Sequence, residues 1–180
     1  MKRLFYISLT LMLALSIQAQ DAVTFMNLPV KGTASIMRKE LTKKGFILNE
    51  DFSLTGCVDG DTCMVVIGTD KGKITDVSVI DREGTEDIDK AIERYNSLID
   101  FYKDNSVYTE YEANIYINDA DKQTHRVNIN NEWYYAEFFQ VCEPQRYNKR
   151  LSFKLTAKYG DYRIVRCYDN SDDITLPAEQ

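Results

Sequence analysis

The chain has 180 residues, 44% hydrophobic and 28% charged, with 28 acidic against 22 basic side chains and a net charge of −6. These proportions suit a single globular domain with a core of its own. The acidic balance and the scattered basic residues exclude a nucleic-acid partner, because phosphate binding needs clustered Lys and Arg.

In chain order, Lys2 and Arg3 precede an apolar run from Leu4 to Leu15 that ends in small residues near Ala19. Such a run is too short to span ~30 Å of hydrocarbon and reads as an export signal over residues 1–20. The mature chain is then expected in the periplasm or outside the cell. No Cys stands at the cleavage point to carry a lipid, and no later stretch has the length of a membrane span. Thr33 to Lys44 reads as a short amphipathic helix. Ile36, Met37 and Leu41 form its stripe, and Gly45 is its left-handed stop. Phe52–Val58 and Thr62–Ile67 flank Asp59-Gly60-Asp61 as a hairpin, and Thr69-Asp70-Lys71-Gly72 turns the chain into Lys73–Ile80. The spacing of Ile88, Ala91, Ile92, Tyr95, Leu98, Ile99 and Tyr102 predicts a second helix over Thr85–Lys103, capped by Thr85. Strands follow at Tyr108–Ile117, Thr124–Ile129, Trp133–Cys142, Leu151–Lys158 and Tyr162–Tyr168. Hairpin-linked strands with two amphipathic helices predict an α+β fold. Its antiparallel sheet would have about six to eight strands, with both helices on one face. One domain is expected over residues 21–170, followed by a flexible polar tail over 171–180.

Four cysteines, Cys57, Cys63, Cys142 and Cys167, permit disulfides in an oxidising compartment. The register decides the first pair. A two-residue Asp59-Gly60 turn puts Cys57 opposite Thr62, with Cys63 on the other face. A three-residue loop makes Cys57 and Cys63 face each other and able to bond. In a meander of the last three strands, Cys142 and Cys167 lie two strands apart. That is ~10 Å across the sheet, too far for a bridge.

Phe25-Met26-Asn27-Leu28-Pro29-Val30-Lys31-Gly32-Thr33, then Leu41-Thr42-Lys43-Lys44-Gly45-Phe46, resembles the opening of an exported α+β protein family of gut-type Gram-negative bacteria. The pattern of that family is an aromatic residue, x-G-I-P-V-x-G-T, a short helix and L-x-x-K-G-F. Leu54-Thr55-Gly56-Cys57-Val58-Asp59-Gly60-Asp61-Thr62-Cys63 resembles the hairpin that follows there. Asn27 and Val58 depart from the pattern, where Gly and Phe are expected. The resemblance covers residues 25–80 and implies fold and location; the family brings no assigned activity and no catalytic residues.

Chemistry-bearing residues are sparse. His125 is the single histidine, which excludes two-imidazole metal sites. The cysteine spacings do not fit a zinc site, and there is no nucleophile elbow, phosphate-cradling loop or dinucleotide fingerprint. No cofactor is expected, apart from calcium chemistry at the oxygen-rich turns of Asp59, Asp61 and Asp70, and of Asp169, Asn170, Asp172 and Asp173. Aromatic residues crowd one strand. Trp133 and Tyr135, with Tyr108 and Tyr116, make a candidate platform on the uncovered sheet face for a sugar or a protein. The expectation is a non-enzymatic envelope protein that binds a glycan or protein partner through a sheet face or edge. The alternative is a glycan-directed hydrolase with an acidic site.

Overall fold

The computed structural model describes residues 22–110, 116–117, 132–141, 149–158 and 161–170; for 132–135 and 158 it describes the backbone alone. The expected strand Thr124–Ile129, the tail, His125, Cys142, Asp172, Asp173 and residues 1–20 lie outside the described residues.

A small hairpin, β1 (Thr24–Phe25) and β2 (Leu28–Pro29), leads into α1 (Ala34–Lys43). Gly45 ends α1 in the left-handed region, φ 95°. The Phe46 amide donates to the Leu41 carbonyl at 3.2 Å and the Gly45 amide to that of Thr42 at 3.0 Å. This pairing closes the orphaned carbonyls of the last turn. Next come β3 (Ile47–Leu48), β4 (Leu54–Val58), β5 (Asp61–Asp70) and β6 (Lys73–Asp81). α2 (Ile88–Lys103) begins at Asp87, whose carboxylate accepts from the amides of Asp89 and Lys90. Thr85 is therefore not the cap; its hydroxyl accepts from the Asp87 amide instead. β7 (Tyr108–Glu110), β8 (Glu132–Gln140), β9 (Lys149–Lys158) and β10 (Asp161–Asn170) complete the chain.

The fold is α+β, with eight strands in one antiparallel sheet ordered β3-β4-β5-β6-β10-β9-β8-β7. Both helices pack on one face. Met37 and Leu41 of α1, and Ile92, Tyr95, Leu98 and Ile99 of α2, share a continuous core with Val65, Val77, Val79, Phe153 and Leu155. Gly56 shows how tight that layer is: a Cβ there would lie 2.3 Å from Cδ1 of Phe46.

The strand order is palindromic. Each half reads helix then four strands, and the halves meet at β6–β10. Val79 and Arg166 face each other at this seam. A local twofold of the strand order about that pair relates β5 to β9 and β4 to β8. It also relates what precedes each helix. Before α1 the chain inserts the β1–β2 hairpin, which docks on the ends of β8 and β10. The side-chain amide of Gln140 accepts from the Thr24 amide and donates to its carbonyl, both at 2.7 Å. Asn170 accepts from the Val23 amide at 2.6 Å and donates to the Val30 carbonyl at 2.7 Å. Phe25 lies against Tyr168, with ring centroids 5.1 Å apart. Before α2 only the short connection Arg82–Asp87 stands in the same place.

Candidate functional site: a buried charge cluster, a polar cleft and a helix-free face

Alternation along β10 puts Ile164, Arg166 and Tyr168 on the covered face. Arg166 is fully buried, and its guanidinium is met by carboxylates at the ends of neighbouring strands. Nη1 donates to Asp59 at 2.7 Å and Nη2 to Asp81 at 2.9 Å, with Cys63 Sγ also 2.9 Å from Nη2. Nε has no hydrogen-bond partner among the described residues. Tyr102 of α2 donates to Asp59 at 2.6 Å and shares a 2.8 Å hydrogen bond with Tyr168. Burial, with the Asp59 charge beside it, pushes the Tyr102 hydroxyl far up, and burial raises Tyr168 in the same way. Burial lifts the Cys63 thiol to about 11, against the pull of Arg166.

The cluster opens into a cleft of about 480 Å³ between the β4–β5 turn, the start of α2 and the start of β10. Its walls are Gly60, Asp61, Thr62, Glu83, Gly84, Thr85, Lys90, Ala91, Tyr162, Arg163 and Ile164. At its floor Arg94 bonds both Asp61 and Asp81. Arg163 is held by Asp161, Nη2 to Oδ2, at 2.7 Å. The Thr85 and Tyr162 backbones exchange two hydrogen bonds, of 3.0 and 2.7 Å, along one rim.

Among the described residues, the opposite face of the sheet carries no helix. Asp76, Ser78, Arg150, Ser152, Lys154, Thr156, Cys167 and Asp169 line a shallow hollow of about 570 Å³ there. Arg150 joins two strands, Nε to Asp169 and Nη1 to Glu137, each at 3.0 Å. Burial raises the Asp169 carboxyl, and Arg150 opposes the shift. Toward β8 this face closes down, with Glu137, Phe139 and Ser152 buried.

The four platform residues are not brought together. Tyr108 and Tyr116 pack against the core on the helix side. Tyr108 accepts from Gln140 at 3.2 Å, and its ring meets that of Tyr102 edge-on at 5.0 Å. Tyr116 donates to Asp100 of α2 at 2.6 Å, under the Lys103 ammonium. The helix stripe draws both aromatics away from the uncovered face. Tyr135 takes the register position opposite Lys154, and Trp133 falls at a bulge in β8.

Cys57 and Cys63 form no disulfide. The turn is the two-residue Asp59-Gly60 form, φ 53° and 92°, so Cys57 pairs with Thr62 and Cys63 with Gly56. Cys57 is exposed, Cys63 is buried, and both are free thiols, as is Cys167. In the native protein iodoacetamide should therefore label Cys57 first and leave Cys63 protected until unfolding, as read by peptide mapping. Equal protection of Cys57 and Cys63 would contradict this register.

The acidic turns hold cations of the chain itself: Asp59 takes Arg166 and accepts from the Tyr102 hydroxyl, Asp61 takes Arg94, and Asp169 takes Arg150. Asn170 holds the N-terminal hairpin instead. No group of three metal-ligating residues occurs among the described residues. No described helix is long and apolar enough to cross a membrane. The sequence signals the Arg166 cluster only through Asp81 and Arg166, charged residues at apolar-face positions of their strands. No protein-family model, curated protein or solved structure matches the chain.

Proposed function

We propose that this chain is an exported, non-catalytic envelope protein that grips a protein partner through its helix-free sheet face. One observation carries the reading: one side of the sheet is apolar under both helices, while the other presents hydroxyls and fixed charges around a shallow hollow. Strands lie ~4.8 Å apart and rise ~3.3 Å per residue, which gives the five strands from β4 to β9 a face of roughly 20 by 30 Å. That is somewhat below the ~800 Å² one partner contributes to a standard interface. Export rests on the basic start and short apolar run of residues 2–15.

A glycan held by Trp133 and Tyr135 is the rival occupant of this face. The rival activity, glycan hydrolysis, needs two carboxylates across a water-filled gap of ~5–9.5 Å. Asp61 and Asp81 in the cleft are bridged by Arg94 instead.

The test is capture from envelope extract with the tagged mature chain, identification by mass spectrometry, and direct binding of the purified partner. Lys154→Glu combined with Cys167→Arg should weaken that binding at least tenfold, measured where the double variant is fully folded by its own unfolding midpoint. Undiminished binding by the double variant, or release of the partner by polysaccharide alone, would sink the reading.

A further inference from the structure

The local twofold carries a second site, independent of the sheet face. The cleft beside Arg94 is the symmetry counterpart of the place that the β1–β2 hairpin fills in the other half. Ile74 corresponds to Tyr162 and Gly32 to Thr85, and each pair is joined by a main-chain hydrogen bond, 2.9 Å in the first and 3.0 and 2.7 Å in the second. In the first half the chain spends a whole hairpin on that space. In the second half the connection Arg82–Asp87 is too short to do so, and about 480 Å³ stays open. That volume is within the ~300–1,000 Å³ of small-molecule sites.

The two linings differ in a way that selects the occupant. The filled site offers a tyrosine floor, Tyr168, to the Phe25 ring, and amide side chains to main chain. The open one replaces Tyr168 with Asp81, already held by Arg166 and Arg94. An aromatic side chain would meet a charged floor there. A free cation would compete with Arg94 for Asp61 and Asp81, and a free anion would compete with the same carboxylates for Arg94. What remains at the floor is an array of acceptor lone pairs and N–H donors whose charges are paired, with one acidic and one basic side chain, Glu83 and Lys90, on the exposed walls and the half-buried Tyr162 beside it. Vicinal hydroxyl groups match such paired donors and acceptors, and a sugar ring presents an apolar face to an aromatic wall. We propose that this cleft binds one uncharged saccharide unit.

The test is amide NMR of the purified mature chain titrated with galactose, maltose, N-acetylglucosamine and its β-1,4 disaccharide. At least one should shift Gly60, Thr62, Gly84 and Thr85 saturably at millimolar concentration. Tyr162→Ala should weaken that sugar about tenfold. The Thr85–Tyr162 contact is made by main chain and survives the change, but the Tyr162 ring also packs on the core, so the midpoint should drop and binding is compared where the variant is fully folded. Arg94→Met, which frees Asp61 and leaves Asp81 to Arg166 alone, should abolish the shifts. If no sugar of the panel moves these amides, the proposal fails. It fails equally if phosphate or a short neutral peptide moves them as strongly, or if Tyr162→Ala binds as well as the parent. None of these outcomes touches the sheet-face reading, which requires no sugar.

Discussion

Arg166→Met should destabilise the fold by about 3–5 kcal/mol, the cost of removing one partner from a buried ion cluster. The guanidinium is the donor that Asp59 and Asp81 share, and it is fully buried. Methionine has similar length and fits the surrounding Val79 and Phe153, so the loss is electrostatic and not a cavity effect. Total stabilities of such domains run about 5–15 kcal/mol, so the variant should show a large drop in urea midpoint. Arg166→Lys should recover only part, since an ammonium cannot span two carboxylates in one plane. A midpoint unchanged in Arg166→Met would mean that the cluster carries no net structural role.

The second large effect is alkaline. Cys63 has an ordinary value near 9.0 and is pushed up to about 11 by burial, so the fold holds the neutral thiol. Below pH 9 the thiol is protonated in folded and unfolded chains alike, and its contribution is fully present. Between about pH 9 and 11 the unfolded chain releases its proton while the folded chain keeps it. Stability falls through that window by roughly 3 kcal/mol, two pH units at ~1.36 kcal/mol each. Tyr102 and Tyr168, also shifted upward by burial, extend the loss to higher pH. Urea midpoints measured from pH 7 to 11 should decline past 9, and Cys63→Ala should flatten the first part of the decline. A flat profile in the parent protein would contradict the buried thiol.

The helices were legible because their apolar spacing and stops are local: Gly45 ends α1 where expected, and α2 ends at Lys103. The Asp-Gly and Lys-Gly turns fixed the hairpins, since both need residues that tolerate positive φ. The two-residue strand β3 was not legible, because its pairing with Thr55 and Leu54 is a tertiary event without a period of its own. Tyr108 and Tyr116 leave the expected platform for a related reason. Tyr108 and Tyr116 follow strand alternation in sequence, but the apolar stripe of α2 competes for them. The cleft was invisible because its parts, Asp61, Arg94 and Tyr162, come from three elements that only the β6–β10 seam brings together.

The palindromic order has a kinetic consequence. Its central pairing joins residues 76–80 to 165–169, more than half of the described span apart. A polypeptide emerging N-terminus first can close β3 to β6 early, yet the edge of β6 that faces away from β5 stays unpaired until the last strand arrives. Long-range closure of this kind folds slowly, and a bare border invites pairing with other molecules. A nascent chain stalled before Asp161 is thus the species most in need of a chaperone.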